Sequence, residues 1–175
     1  MVPRMIAHIP ASVGASLEDI ANANPGWKVE REPDGELRLS PTGSLSGAHD
    51  AALMWLLLDW SRGGAGGVVF GSSTGFTMPD GSLLSPDAAW ITDERWRATD
   101  PRERIGYLSI VPDVCIEIVS PTDRVGELTA KLERYRSFGA ALVVLIDPFR
   151  RRTWSEGTAP TDFPTDFSSV YDAGA

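Results

Sequence analysis

Apolar and polar residues run along this chain in three rhythms, and each predicts a different kind of element. From Ser46 to Ser61, the residues Ala52, Leu53, Leu56, Leu57 and Trp60 recur at helical spacing and form one apolar stripe. The run Gly63-Gly64-Ala65-Gly66-Gly67 ends that helix. Trp27 to Arg31 and Glu36 to Ser40 alternate on either side of Pro33-Asp34-Gly35, the pattern of a β-hairpin. Val114 to Val119 and Leu142 to Ile146 are almost wholly apolar, as strands buried on both faces are. Between these two, Glu127 to Phe138 reads as a helix with Leu128, Leu132 and Tyr135 inward and Gly139 as its C-terminal cap. Strand, helix and strand within about 33 residues make a βαβ-sized unit.

The remaining pattern is shorter-ranged. Ser16 to Asn24 predicts a short helix, with Ser16 as N-cap and Asn24-Pro25-Gly26 as its breaker. Val68 to Phe70, Thr74 to Met78 and Ser85 to Ile91 predict short strands, with a turn at Pro79-Asp80-Gly81. Asp93 to Arg104 is charged and reads as a partly helical connection, and Arg151 to Trp154 as an edge strand. After Glu156 the composition turns to Thr, Pro, Asp, Ser and Gly. One domain over residues 1–156 is therefore expected, with 157–175 as a loose tail on which Phe163, Phe167 and Tyr171 offer docking points.

Composition narrows the class. The chain has 175 residues, 42% hydrophobic and 23% charged, which suits one globular domain and not a disordered chain. Its longest apolar run, Ala51 to Leu58, falls well short of the roughly 20 residues of a membrane span. Pro3, Pro10 and Glu18 interrupt any secretory signal, so a cytoplasmic location is expected. One cysteine, Cys115, excludes an internal disulfide, and two histidines, His8 and His49, cannot build a histidine cage. The net charge is −8, yet Arg124 to Arg152 carries seven Lys/Arg against three Asp/Glu. Arg134, Arg136 and Arg150 to Arg152 are the candidates for contacts to a nucleic-acid backbone, although a solvated basic face is the commoner meaning of such a run.

Three residues stand out against this frame. Glu117 lies mid-strand between isoleucines, sharing a face with Cys115 and Val119, where a carboxylate needs a partner or a cation. Asp87 opens the strand Ser85 to Ile91, although a Pro-Asp pair also serves simply as a turn. Lys131 falls about 60° from Leu128 at roughly 100° per residue, at the edge of the buried stripe, where it can equally snorkel. Two carboxylates from neighbouring strands can hold a hard divalent cation, and a nearby lysine can orient water or stabilise phosphate charge.

The segments Ser72 to Ser82, Ser85 to Trp90, Pro112 to Asp123, Lys131 to Tyr135, Phe138 to Ala140 and Leu145 to Pro148 together resemble the Uma-two family of restriction-endonuclease-like proteins. The hairpin ending Leu39-Ser40-Pro41-Thr42-Gly43 and the helix bearing His49 also fit, and the likeness covers roughly residues 16 to 155. It implies the PD-(D/E)XK superfamily: an α/β (α+β) restriction-endonuclease-like mixed central sheet flanked by helices, with an N-terminal β-hairpin and a Mg²⁺ (or Mn²⁺) site. Asp87 matches the superfamily's aspartate and Glu117 its second acid. The usual lysine two residues on is Val119 here, and Lys131 of the following helix stands in its place. Lys131 and Tyr135 resemble the Gln-xxx-Tyr pair of RecB-like nucleases, with lysine for glutamine. Ser120 is a phosphate contact or a turn cap. Glu30 and His49 are candidates for an extra acid and a substrate contact, against plainer roles as surface residues.

The resulting expectation is a divalent-metal-dependent endonuclease acting on nucleic acid, with DNA favoured. Asp87 and Glu117 would hold the metal, Lys131 would position water or phosphate, and a homodimer would suit the cutting of two strands. The alternatives are a noncatalytic nucleic-acid-binding protein on the same fold, and a structural protein in which Lys131 and Glu117 form a buried ion pair.

Overall fold

The computed structural model describes residues 16–24, 27–41 and 43–174. Pro3, His8, Pro10, Pro25, Gly26 and Thr42, named above, lie outside them, as does the Glu18 side chain. Two sheets organise the described residues. The larger has five strands in the order β3 (Val68–Gly71), β6 (Ala88–Ile91), β7 (Val114–Ile118), β8 (Leu142–Asp147) and β9 (Arg152–Gly157). Only the central β7–β8 pair is parallel, joined by α4 (Val125–Ser137), so the predicted βαβ unit is the middle of the fold. The smaller sheet has the order β2 (Leu37–Pro41), β1 (Trp27–Arg31), β5 (Leu83–Leu84) and β4 (Phe76–Thr77). Its hairpin pairs Trp27 with Pro41 through Arg31 with Leu37, and α1 (Leu17–Ala23), capped by Ser16, covers Val29, Leu37 and Leu39.

Alternation along β7 divides the core. Val114, Ile116 and Ile118 pack against Leu53, Leu57 and Trp60 of α2 (Ser44–Trp60). Cys115 and Val119 face the other way, toward Leu128, Leu132 and Tyr135 of α4. Burial on both faces explains why this strand reads as a continuous apolar run. Below α2 the glycine-rich turn brings Gly67 against Trp90. Its φ is +76°, and a Cβ there would stand 2.4 Å from the Trp90 Nε1 atom.

Two expectations change. The strand foreseen over Ser85 to Ile91 is shorter, β6 over Ala88–Ile91, and Ser85-Pro86-Asp87 is the crossing into it from β5 in the smaller sheet. Pro86 has no N–H to give a ladder, so the chain leaves one sheet there and enters the other. The segment after Glu156 is not loose. Phe163 packs edge-on against Trp60, whose Nε1–H donates to the Thr161 carbonyl at 3.1 Å. Phe167 and Val170 are buried beside α2, with Val170 in α5 (Ser168–Tyr171). Three spaced apolar anchors therefore tie a polar segment to the body. Val170→Ala removes two buried methyl groups' worth of apolar area, and a loss of about 1–2 kcal/mol in denaturant unfolding is expected; a loose tail would give no change.

Candidate active site

The two acids singled out in the sequence are neighbours across the sheet. β6 and β7 run antiparallel with Ala88 opposite Ile116 and Ala89 opposite Cys115. Carried one residue further, the same register sets Asp87 beside Glu117, both on the face that looks toward α4. The Asp87 backbone N–H donates to the Ile116 carbonyl at 2.9 Å, which fixes the strand entry. The Asp87 Oδ2 atom accepts the Ile118 N–H at 2.7 Å, and its Oδ1 meets Lys28 Nζ at 2.9 Å.

The hairpin supplies the wall opposite. In β1, Val29 points into the hairpin's own core, so Lys28 and Glu30 share the other face. Lys28 reaches Asp87, and Glu30 reaches Lys131, whose Nζ lies 2.7 Å from Glu30 Oε1. The Ser85 peptide is clamped between the same two groups: its N–H donates to Glu30 at 2.8 Å and its carbonyl accepts from Lys131 at 2.9 Å. One turn further along α4, Arg134 binds Glu32 at 2.7 Å and Asp80 at 3.4 Å. Positions i and i+3 of the helix thus meet Glu30 in β1 and Glu32 just past its end, and this charged seam holds the hairpin sheet against α4.

Glu117 is the deepest group, only 2% exposed. Lys131 Nζ lies 2.7 Å from its Oε1, and that oxygen accepts no aligned hydrogen bond among the described residues. Burial pushes the Glu117 carboxyl up to about 7, against the pull of the Lys131 and Lys28 ammonium groups. Glu30 is also buried, yet Lys131, Lys28 and the Ser85 N–H hold it well below the ordinary carboxylate range. Both lysines are raised: burial alone would lower them, and the surrounding acids outweigh it. Tyr135, four residues after Lys131, carries its hydroxyl into the same buried region without a hydrogen-bond partner among the described residues. Burial and then Glu117 raise its pKa far above the usual value. Burial likewise raises Cys115 and keeps it a protonated, unreactive thiol.

The raised Glu117 has a stability consequence. For an acid whose folded pKa lies above its unfolded value of about 4.5, the native state is favoured at low pH and loses that advantage as pH rises toward about 7. Glu117→Gln stays neutral throughout, and each unit of the lost shift is worth about 1.4 kcal/mol. Metal-free melting curves are expected to show the variant equal to the wild type at pH 4 and more stable than it at pH 8. Parallel curves would mean that Glu117 takes up its proton at the same pH folded and unfolded, so that burial does not raise it.

Not every expected residue joins this cluster. Lys131, expected to face water or phosphate, has three oxygens within 2.9 Å of its ammonium, from Glu30, Glu117 and Ser85. Glu30 is no solvent-facing hairpin residue but part of the wall. His49 is not a surface residue: it is 4% exposed on α2, its ring centroid 6.1 Å from that of Phe149, and burial lowers its pKa. Ser120 takes the turn role, its N–H donating to Asp123 at 2.9 Å. It borders a depression of about 500 Å³ lined by Val119, Pro121, Asp123, Val125, Phe149 and Arg150. The basic run is largely spoken for within the chain. Arg134 pairs with Glu32 and Asp80, Arg136 donates to the Ala140 and Ala141 carbonyls, Arg150 pairs with Asp147, and Arg151 pairs with Asp172.

Two members of the site escaped the sequence reading. Lys28 carried a signal, since it lies two residues from Glu30 and therefore on the same strand face. Asp50 of α2 carried none. Its Oδ2 accepts the Ser72 hydroxyl at 2.9 Å, and burial, then the nearby Asp87 charge, raises its carboxyl to about 6.

The donor set suits a hard cation. Among the described residues no three His, Cys, Asp or Glu side chains converge as a ready-made cage. What is present is two adjacent carboxylates, with an under-satisfied Glu117 oxygen and an Asp87 oxygen held only by a side chain. Magnesium commonly takes one or two protein carboxylates and completes its shell with water and phosphate.

A mixed five-stranded sheet with a central parallel pair, a bridging helix and two acids side by side at its edge of entry is a restriction-endonuclease-like architecture. The chain belongs to the Uma2 family, whose model, described as "Putative restriction endonuclease", matches residues 15–155. A solved structure similar in fold is that of "a putative nuclease belonging to DUF820" from Anabaena variabilis ATCC 29413, with a TM-score of 0.60 and 18% identity over 82% of this chain and 89% of that one. No curated protein matches the chain. No helix among the described residues is long and apolar enough to cross a membrane.

Proposed function

We propose that this protein is a divalent-metal-dependent endonuclease that hydrolyses phosphodiester bonds of nucleic acid, with DNA the favoured substrate. The observation that carries the reading is the juxtaposition of Asp87 and Glu117 across β6 and β7, in a chain whose family is described as "Putative restriction endonuclease". Asp87 Oδ1 and Glu117 Oε1 are the groups that would hold Mg²⁺ or Mn²⁺. When bound, such an ion supplies Lewis-acid polarisation of a phosphoryl oxygen and a more acidic water.

The chain's own residues do the rest. Ile118 N–H holds Asp87 in one orientation, so its second oxygen faces the Lys28 ammonium. Lys131 is a positioning residue: its contacts to Glu117, Glu30 and Ser85 hold the deep carboxylate and the crossing strand in register. Water gives up a proton to solvent as its oxygen attacks phosphorus, the bond to the leaving oxygen breaks, and that oxygen takes up a proton from solvent. Tyr135 adds an un-ionised hydroxyl to the buried region around Glu117.

One observation favours a second reading, a noncatalytic nucleic-acid-binding protein on this fold: both acids already have lysine partners. The two separate in one assay. Single- and double-stranded DNA and RNA are incubated with the protein in Mg²⁺ or Mn²⁺, with a chelated control. Cleavage that the chelator stops is expected; binding that weakens with salt but gives no turnover under either metal would select the noncatalytic reading.

A further inference from the structure

The two lysines in the site are held by different numbers of oxygens. Lys131 is enclosed by three oxygens from three elements. Lys28 approaches from the hairpin, at the end of a flexible four-carbon stem, and its described contact is Asp87 Oδ1 at 2.9 Å. That oxygen is the one the Ile118 N–H leaves free, and hence the one a metal would use. The two side chains bury one another, at 16% and 18% exposure. Lys28 also feels the Glu117 and Glu30 charges, so its ammonium balances part of the negative charge a cation would meet there.

We propose that Lys28 is the resident counter-cation of the site: its ammonium occupies Asp87 Oδ1 in the metal-free protein, and that oxygen becomes available to a divalent ion only when Lys28 withdraws. The inference rests on the metal-site reading above. Its physical content is a competition. An ammonium that holds the oxygen for about nine-tenths of the time weakens the apparent metal affinity about tenfold, because only the open fraction can bind. A nucleic-acid phosphate is a partner to which the displaced ammonium can turn, so substrate and metal would strengthen one another's binding by the same factor.

The test is calorimetric titration of Mn²⁺ into the wild type, Lys28→Met, Lys28→Gln and Lys28→Arg, each first shown folded by its far-UV circular dichroism. Both neutral variants are expected to bind Mn²⁺ about tenfold tighter than the wild type, while Lys28→Arg stays within about threefold of it. A purely structural role for Lys28 would give the opposite sign, since a loosened site binds more weakly. Equal or weaker binding by Lys28→Met and Lys28→Gln beside a wild type that binds would overturn the assignment of Lys28 and leave the metal site standing. No Mn²⁺ binding by any of the four would overturn both.

Discussion

Asp87→Asn is expected to lower metal-dependent phosphodiester cleavage by about a thousandfold, or about 4 kcal/mol of transition-state stabilisation. The magnitude follows from what the substitution keeps and what it removes. An asparagine carbonyl can still accept the Ile118 N–H, so the strand entry and the fold survive. The other carboxylate oxygen becomes an NH₂ group, which offers no lone pair to a cation and points a donor at the Lys28 ammonium. The loss is therefore of charge and of one ligand, not of structure. Single-turnover cleavage in Mn²⁺, beside melting curves of the same preparation, separates the two. A rate within tenfold of the wild type would show that Asp87 is a strand-entry aspartate and no more.

The second large effect is on stability. Lys131→Met leaves Glu117 and Glu30 facing one another in a buried region with one ammonium, Lys28, in place of two. Removing one partner of a buried ion pair costs about 3–5 kcal/mol, because the remaining charge keeps its desolvation penalty without the attraction. The methionine preserves most of the packing volume against Leu128 and Tyr135, so the loss is electrostatic. It is expected to be largest at pH 8, where both acids are ionised in the wild type. It should shrink toward pH 5, where Glu117 takes up its proton. Urea unfolding at the two pH values reads this directly. A loss that is the same at both would mean that Lys131 acts through Glu30 and the Ser85 carbonyl, which do not change over this range, and not through Glu117.

These two residues also show what the sequence made legible. Glu117 stood out because β7 is buried on both faces and one carboxylate interrupts an apolar run. The inward edge position of Lys131 followed from helical spacing. The partners were less visible. Alternation showed that Lys28 and Glu30 share a face, but not that this face meets Asp87, because the approach of the hairpin sheet depends on the crossing at Pro86. The arginines of the basic run looked like a nucleic-acid surface because charge counts carry no geometry; Arg134 and Arg136 are turned inward to the hairpin and the α4–β8 loop. The docked segment after Glu156 was only half visible. Phe163, Phe167 and Tyr171 stood out as docking points, but the linker-like Thr, Pro, Asp, Ser and Gly around them masked how firmly they and Val170 hold the segment to the body.

The central claim is that Asp87 and Glu117 form one cation site. The most direct measurement is a calorimetric titration of Mn²⁺ into the wild-type protein beside Asp87→Asn and Glu117→Gln, with a phosphodiester-bonded DNA duplex present to complete the ligand shell. Binding at one site in the wild type, lost in both variants, is the expected result. Binding that persists unchanged in both variants, or a wild type that takes up no Mn²⁺ even with the duplex, would contradict it.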